Sequence, residues 1–310
     1  MSLMRKVLLA ASTSPWMRER AMNSGYVRRA TRRFMPGEKL EDALEATRVL
    51  EREGIPTILT RLGENLESEA DAKAVGDHYL QAQDQVRATG VRSEMSVKLT
   101  QLGLDHSPEI AYANLARIAA HAGTIGRRVW VDMEGSLYTQ PTLDLYRRVR
   151  RVHANVGIAI QSYLRRSAAD LEMLIGLGSP IRLVKGAYDE STTIAFRTKR
   201  EVDDSYVAMG ERMLQRGALD AGVFPGFGTH DERIVKHLQA HAERNGITKD
   251  RWEFEMLYGI RRDLQSRLVS EGHRIRVLIS YGDAWFPWYM RRLAERPANV
   301  WFVVRSAMSK

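Results

Sequence analysis

The sequence predicts an α/β chain folded as a (β/α)8 barrel, and three observations carry that expectation. Eight short apolar runs alternate with helical stretches along the 310 residues, the signature of a barrel built from roughly 250 residues. Nearly every run ends in a polar or ionisable residue, and in such a barrel the active site lies at the carboxyl ends of the strands. The main fold alternative, an open doubly wound sheet, would show the same alternation, but no G-x-G-x-x-G opens a helix, which disfavours a Rossmann cofactor site.

The chain begins with a basic, helical stretch, Arg18 to Arg33, broken by Pro36-Gly37. Glu38 to Glu53 then places Leu40, Ala43, Leu44, Thr47 and Leu50 at helical spacing, closed by Gly54. Residues 1–54 are therefore expected as a helical arm and 55–310 as the barrel. The first strand is Ile55 to Leu62, and Gly63-Glu64-Asn65 opens a polar helix. Ser96 to Leu99 is the second strand, followed by a helix from Pro108 to His121. Arg128 to Glu134 is the third, with a helix from Pro141 to Val152. Val156 to Gln161 is the fourth, with a helix from Ser167 to Leu177. The fifth, Ile181-Arg182-Leu183-Val184-Lys185-Gly186-Ala187-Tyr188, is the stretch around which the others are organised. It reads as a buried parallel strand emptying into a site. Arg182 and Lys185 are the anomaly, since cations in such a run must meet an anion, a carboxylate or a cofactor. Tyr206 to Ala221 forms the next helix. Phe224 to His230 is the sixth strand, followed by a helix from Asp231 to Asn245; Trp252 to Leu257 is the seventh and Ile275 to Ile279 the eighth. The strand ends supply Glu64, Lys98, Asp132, Gln161, Lys185 with Tyr188, Thr229 with His230, Tyr258 and Tyr281.

Composition narrows the chemistry. The absence of cysteine excludes disulfides, thiolate catalysis and Cys-based zinc or iron–sulfur sites. His237 and His241 sit four apart on a helix, but the Glu of a zinc-protease pattern is missing, and no metal site is expected. No apolar run approaches the roughly 20 residues of a membrane helix, and the reading is a soluble, cytoplasmic chain. A net charge of +9 points to an anionic partner: nucleic acid, an anionic membrane surface or a phosphate-bearing cofactor. Arg291 and Arg292 are adjacent on the last helix, where both reach one carboxylate only if that helix overhangs the barrel mouth. Arginine forks bind carboxylates bidentately, so with Lys98 they would clamp a small acid.

Seven ordered motifs carry a family resemblance: Met95-Ser96-Val97-Lys98-Leu99-Thr100-Gln101-Leu102-Gly103, Val131-Asp132-Met133-Glu134, Gln161-Ser162-Tyr163-Leu164, Arg182 to Tyr188, Thr229-His230, Phe254-Glu255-Met256-Leu257-Tyr258-Gly259 and Tyr289-Met290-Arg291-Arg292-Leu293. From about Arg32 to Arg305 the chain resembles the proline dehydrogenases, and its length is similar to the monofunctional bacterial type. The resemblance implies a distorted TIM barrel with additional N-terminal helices and a C-terminal helix over its mouth. It also implies an FAD enzyme that oxidises L-proline to Δ1-pyrroline-5-carboxylate and passes electrons to a membrane quinone. By the same resemblance Arg182 lies beside the hydride-accepting flavin nitrogen, and Met133, Gln161, Lys185, Gly186, Ala187, Thr229 and His230 hold FAD. Lys98, Arg291 and Arg292 clamp the substrate carboxylate, Asp132 supports Lys98, Leu257 and Tyr258 line the pocket, Glu64 gates it with Arg291, and Glu295 sits nearby. Leu278 stands where the family usually has a tyrosine packed on the substrate ring, which implies a roomier pocket. Proline must lose its ammonium proton before hydride leaves, so activity should rise with pH.

Two other classes remain open on the residues alone. One is a basic barrel that binds nucleic acid or anionic membrane; the other is an aldolase or isomerase with Lys98 or Lys185 forming a Schiff base. For the enzyme reading no nucleic-acid partner is expected. Peripheral contact of the basic arm with the inner face of the membrane and a homo-oligomer are both compatible with the sequence.

Overall fold

The computed structural model describes residues 31–63, 66, 68–286 and 289–290. Its centre is a closed barrel of eight parallel strands in sequence order. Ahead of it runs α1 (Leu40–Arg52), whose buried face is Leu40, Ala43, Leu44, Ala46, Thr47 and Leu50. The barrel alternates β1 (Thr57–Arg61), α2 (Glu69–Thr89), β2 (Ser93–Val97), α3 (Pro108–Thr124), β3 (Val129–Val131), α4 (Ser136–Arg150), β4 (Val156–Gln161), α5 (Ser167–Gly176) and β5 (Pro180–Val184). It continues with α6 (Lys199–Met213), α7 (Arg216–Asp220), β6 (Phe224–Gly228), α8 (Glu232–Arg244), β7 (Glu253–Leu257), α9 (Arg262–Ser270) and β8 (Ile275–Tyr281). Pairing of β1 with β8, from Thr57 with Val277 to Arg61 with Tyr281, closes the ring.

The apolar core lies between barrel and helices. Its strand residues, such as Val97, Val131, Ile158, Leu183, Phe227, Met256 and Ile279, are at most 2% exposed and face the helix ring. Side chains of the opposite parity fill the barrel, and these are unusually polar. At the floor Arg276 pairs with Glu253 at 3.0 Å and Glu94 at 3.5 Å; Glu94 also accepts the Trp130 indole N–H at 2.7 Å. One layer higher lie Ser96, Asp132, Arg182 and Glu255. Burying charge is tolerated where each ion meets a counter-ion and hydrogen bonds.

Several boundaries differ from expectation for local reasons. β2 starts at Ser93, three residues earlier, because the polar Ser93 and Glu94 have partners inside the fold. β3 stops at Val131 and β5 at Val184, so the polar residues beyond them belong to loops at the barrel mouth. α6 begins at Lys199 behind a Thr198–Glu201 capping box, and α4 begins at Ser136, with Pro141 inside it. The helix after β1 starts at Glu69, capped by Ser68. Among the described residues no helix is long and apolar enough to cross a membrane.

Candidate active site

Arg182 is the hub of the mouth. It projects inward from β5 and is 4% exposed. Its Nε donates to Glu255 Oε2 at 2.5 Å, and its Nη1 donates to Asp132 Oδ1 at 2.9 Å and Ser96 Oγ at 3.0 Å. The guanidinium lies over the Trp130 ring, 4.6 Å from its centroid, a cation–π contact that also fixes its plane. Nη2, also buried, has no partner among the described residues. A donor held on three sides and left open on the fourth is built to meet a ligand.

The other mouth residues converge around it. Asp132 follows β3, accepts from Ser96 Oγ at 2.8 Å and has Lys98 Nζ 3.8 Å from its Oδ2. Lys98 follows β2 and is 14% exposed; its loop is pinned by Glu134, which accepts from Thr100 N and Oγ1 at 3.2 and 2.7 Å. Gln161, at the end of β4, donates to the Met133 carbonyl at 3.2 Å, and its Oε1 is buried without a partner among the described residues. Leu257 and Leu278 are register partners on β7 and β8, both half-buried and of the same parity as Glu255 and Arg276. Tyr258, next in the chain, is half-buried.

Beyond β5 the chain loops over the mouth. Gly186 has φ +112°, and a Cβ there would meet the Tyr163 ring at 2.2 Å, so this turn needs glycine. Lys185 Nζ donates to Asp203 at 2.5 Å and Asp231 at 3.1 Å, joined by Lys199. Burial alone would raise the Asp231 carboxyl, but Lys185 and Lys199 hold it well below its usual range. Ala187 is exposed. Thr229, buried behind β6, accepts from Asp231 N at 3.1 Å, and His230 Nε2 accepts from Leu257 N at 2.9 Å. That bond leaves Nδ1 to carry the proton of the neutral ring. The loop's far end is fastened by Glu190, which accepts from Ser136 N and Oγ at 2.7 and 2.6 Å.

The structure thus gathers Lys98, Asp132, Met133, Gln161, Arg182, Lys185, Gly186, Ala187, Thr229, His230, Leu257, Tyr258 and Leu278 at one end of the barrel. Glu64, Arg291, Arg292 and Glu295 lie outside the described residues, as do most of the basic arm and the remainder of the last helix. Sequence reasoning singled out the charges of the fifth strand but missed Glu255, Ser96 and the floor triad. The signal was present: Glu253 and Glu255 interrupt Trp252-Phe254-Met256-Leu257 at i and i+2, which puts both on one face of a strand.

Fold and site together define a (β/α)8 barrel of the enzyme kind, its ionisable groups gathered at the carboxyl ends of the strands. A family model described as proline dehydrogenase matches residues 43–305, and this chain belongs to that family. It is 36% identical to a proline dehydrogenase of Deinococcus radiodurans over 99% of this chain and 98% of that protein. It is 35% identical to proline dehydrogenase 1 of Bacillus subtilis strain 168 over 99% of this chain and 100% of that one. The barrel also superposes on proline utilization A from Bdellovibrio bacteriovorus inactivated by N-propargylglycine, with TM-score 0.81 at 24% identity. That match covers 92% of this chain and 34% of the other, a likeness of fold.

Proposed function

We propose that the chain oxidises L-proline to Δ1-pyrroline-5-carboxylate with FAD and delivers the electrons to a quinone. The observation that carries this reading is the pair of orphaned buried atoms on the adjacent strands β4 and β5, Gln161 Oε1 and Arg182 Nη2. One is a cationic donor and the other an acceptor, which suits a flat heterocycle bearing both kinds of edge group. FAD, when bound, supplies the hydride acceptor. Met133, Gln161, Arg182, Lys185, Gly186, Ala187, Thr229 and His230 would hold it. Arg182 then presents fixed positive charge where electrons arrive, an electrostatic contribution that needs no reorganisation.

Lys98, steadied by Asp132, would take the proline carboxylate, joined by Arg291 and Arg292. Leu257, Tyr258 and Leu278 would enclose the ring and exclude water. Lys185 does not suit a Schiff-base role, because two carboxylates engage its ammonium. The test is an absorbance spectrum of purified protein: a flavin spectrum that bleaches on anaerobic addition of proline is expected. Protein that stays colourless after incubation with FAD and oxidises no proline would overturn the proposal.

A further inference from the structure

Glu255 points into the barrel from β7 and is 4% exposed. Its Oε2 takes the Arg182 Nε–H, while Oε1 has no partner among the described residues. Space for that oxygen comes from β6, where a Cβ on Gly226 would lie 2.3 Å from it. Gly226 is also the register partner of Arg182.

Glu255 has no counter-ion to itself. It is faced by Arg182 from β5, Arg276 from β8, Glu253 on its own strand and Tyr206 from α6, with Asp132 from β3 across Arg182. Arg276 is engaged by Glu253 and Glu94, and Lys98 lies 3.8 Å from Asp132. Arg182 is therefore shared between Asp132 and Glu255. Arg274, 47% exposed at the floor, lies 3.9 Å from Glu253 and serves that carboxylate, so Glu255 depends on the one guanidinium that it shares with Asp132. A buried carboxylate without a counter-ion of its own is relieved by binding a proton.

We infer that Glu255 is a positioning residue for Arg182 and, by binding or releasing one proton, sets the net charge that Arg182 presents to the redox cofactor. This rests on the flavin reading above. Burial and the neighbouring Glu253 push its carboxyl up to about 7 against the pull of Arg182 and Arg276, so the exchange falls in the working range. With Glu255 ionised, its negative charge offsets the guanidinium; with Oε1 protonated, Arg182 is opposed by Asp132 alone. Electrons arriving at the cofactor raise the proton affinity of Glu255. One proton then moves from solvent to Oε1, and it returns when the electrons leave.

The experiment compares wild type with Glu255→Gln, which keeps an acceptor for Arg182 Nε and abolishes the ionisation. Above pH 8 the variant's two-electron flavin potential should lie above that of wild type by a tenfold shift in the reduction equilibrium, about 30 mV; at pH 5.5 the two should coincide. Equal potentials across this range in flavin-bearing protein would overturn the inference and leave the flavin reading intact. Colourless protein would overturn both. Infrared spectroscopy of wild type supplies a readout that needs neither flavin nor variant. A buried carboxyl C=O stretch should fade as pH rises through about 7; no such titration overturns the inference.

Discussion

In the proposed site, Leu278 is the side chain that would set the width of the pocket. The inner face of β8 carries Arg276 and Leu278, whereas Tyr281 faces outward, 1% exposed, with its hydroxyl 2.9 Å from His78 Nε2. Trp285 is committed as well, its indole N–H donated to Glu38 at 2.9 Å. Neither aromatic is free to stand in the wall of the proposed pocket. Leu278→Tyr is therefore expected to tighten proline binding by roughly 1–2 kcal/mol and to sharpen discrimination against 4-hydroxyproline, since a loose apolar wall rejects an added hydroxyl weakly. Catalytic efficiencies on both substrates check this; an unchanged ratio would remove Leu278 from the pocket. Arg182→Met should act differently. On the proposed reading it removes both the counter-ion of Glu255 and a cation at the cofactor's edge, so flavin potential and turnover should fall while the KM for proline stays within about threefold. A large rise in KM with unchanged potential would place Arg182 on the substrate instead.

At the scale of elements, the loop from Lys185 to α6 is held by distant partners. Glu190 caps the N-terminus of α4, and an antiparallel bridge joins Leu164 to Ala195. Removing charged hydrogen bonds of this kind costs about 1.5–3 kcal/mol. Glu190→Ala is expected to loosen the segment carrying Lys185, Gly186 and Ala187 and to speed FAD release at least tenfold, measured by fluorescence after dilution. Unchanged release would mean that the Leu164–Ala195 bridge and the Lys185 ion pairs hold the loop without Glu190. The strands and helices were legible because their apolar faces repeat with the right periods, and the mouth residues because strand ends mark the site. The barrel interior was not. Glu255 meets Arg182 only across 73 positions of sequence, and Glu94 reads as a surface residue until Trp130 and Arg276 are beside it. The Thr198–Glu201 capping box was readable by its spacing, but the polar Lys199, Arg200, Asp203 and Asp204 hid the first turns of α6.

For the whole molecule, two sets of carboxyls shape stability against pH in opposite senses. Asp203 and Asp231 are held below their ordinary 3.8 by Lys185 and Lys199, although burial opposes the shift. The unfolded chain binds protons there first, so this stability is present above about pH 4 and is lost as pH falls. Glu255 is raised from 4.5 to about 7, so the folded state holds its proton longer and stability declines as pH climbs through that interval. Melting temperature should peak in mildly acid buffer. Glu255→Gln should flatten the alkaline decline, and Asp231→Asn should lower the melting temperature at pH 7, by a margin that narrows as pH falls below about 4. An alkaline decline that survives in Glu255→Gln would assign it to another group. The ring closure of β1 on β8 has a consequence for biogenesis. Arg276 reaches the Thr57 carbonyl across 219 positions, so a nascent chain emerging from the ribosome displays an unsatisfied strand edge on β1 until β8 has been translated. Open strand edges invite pairing with other chains, and contacts this remote form slowly. Stalled chains ending before Ile275 should therefore recruit holdase chaperones and yield to protease, and both signals should vanish once β8 clears the exit tunnel.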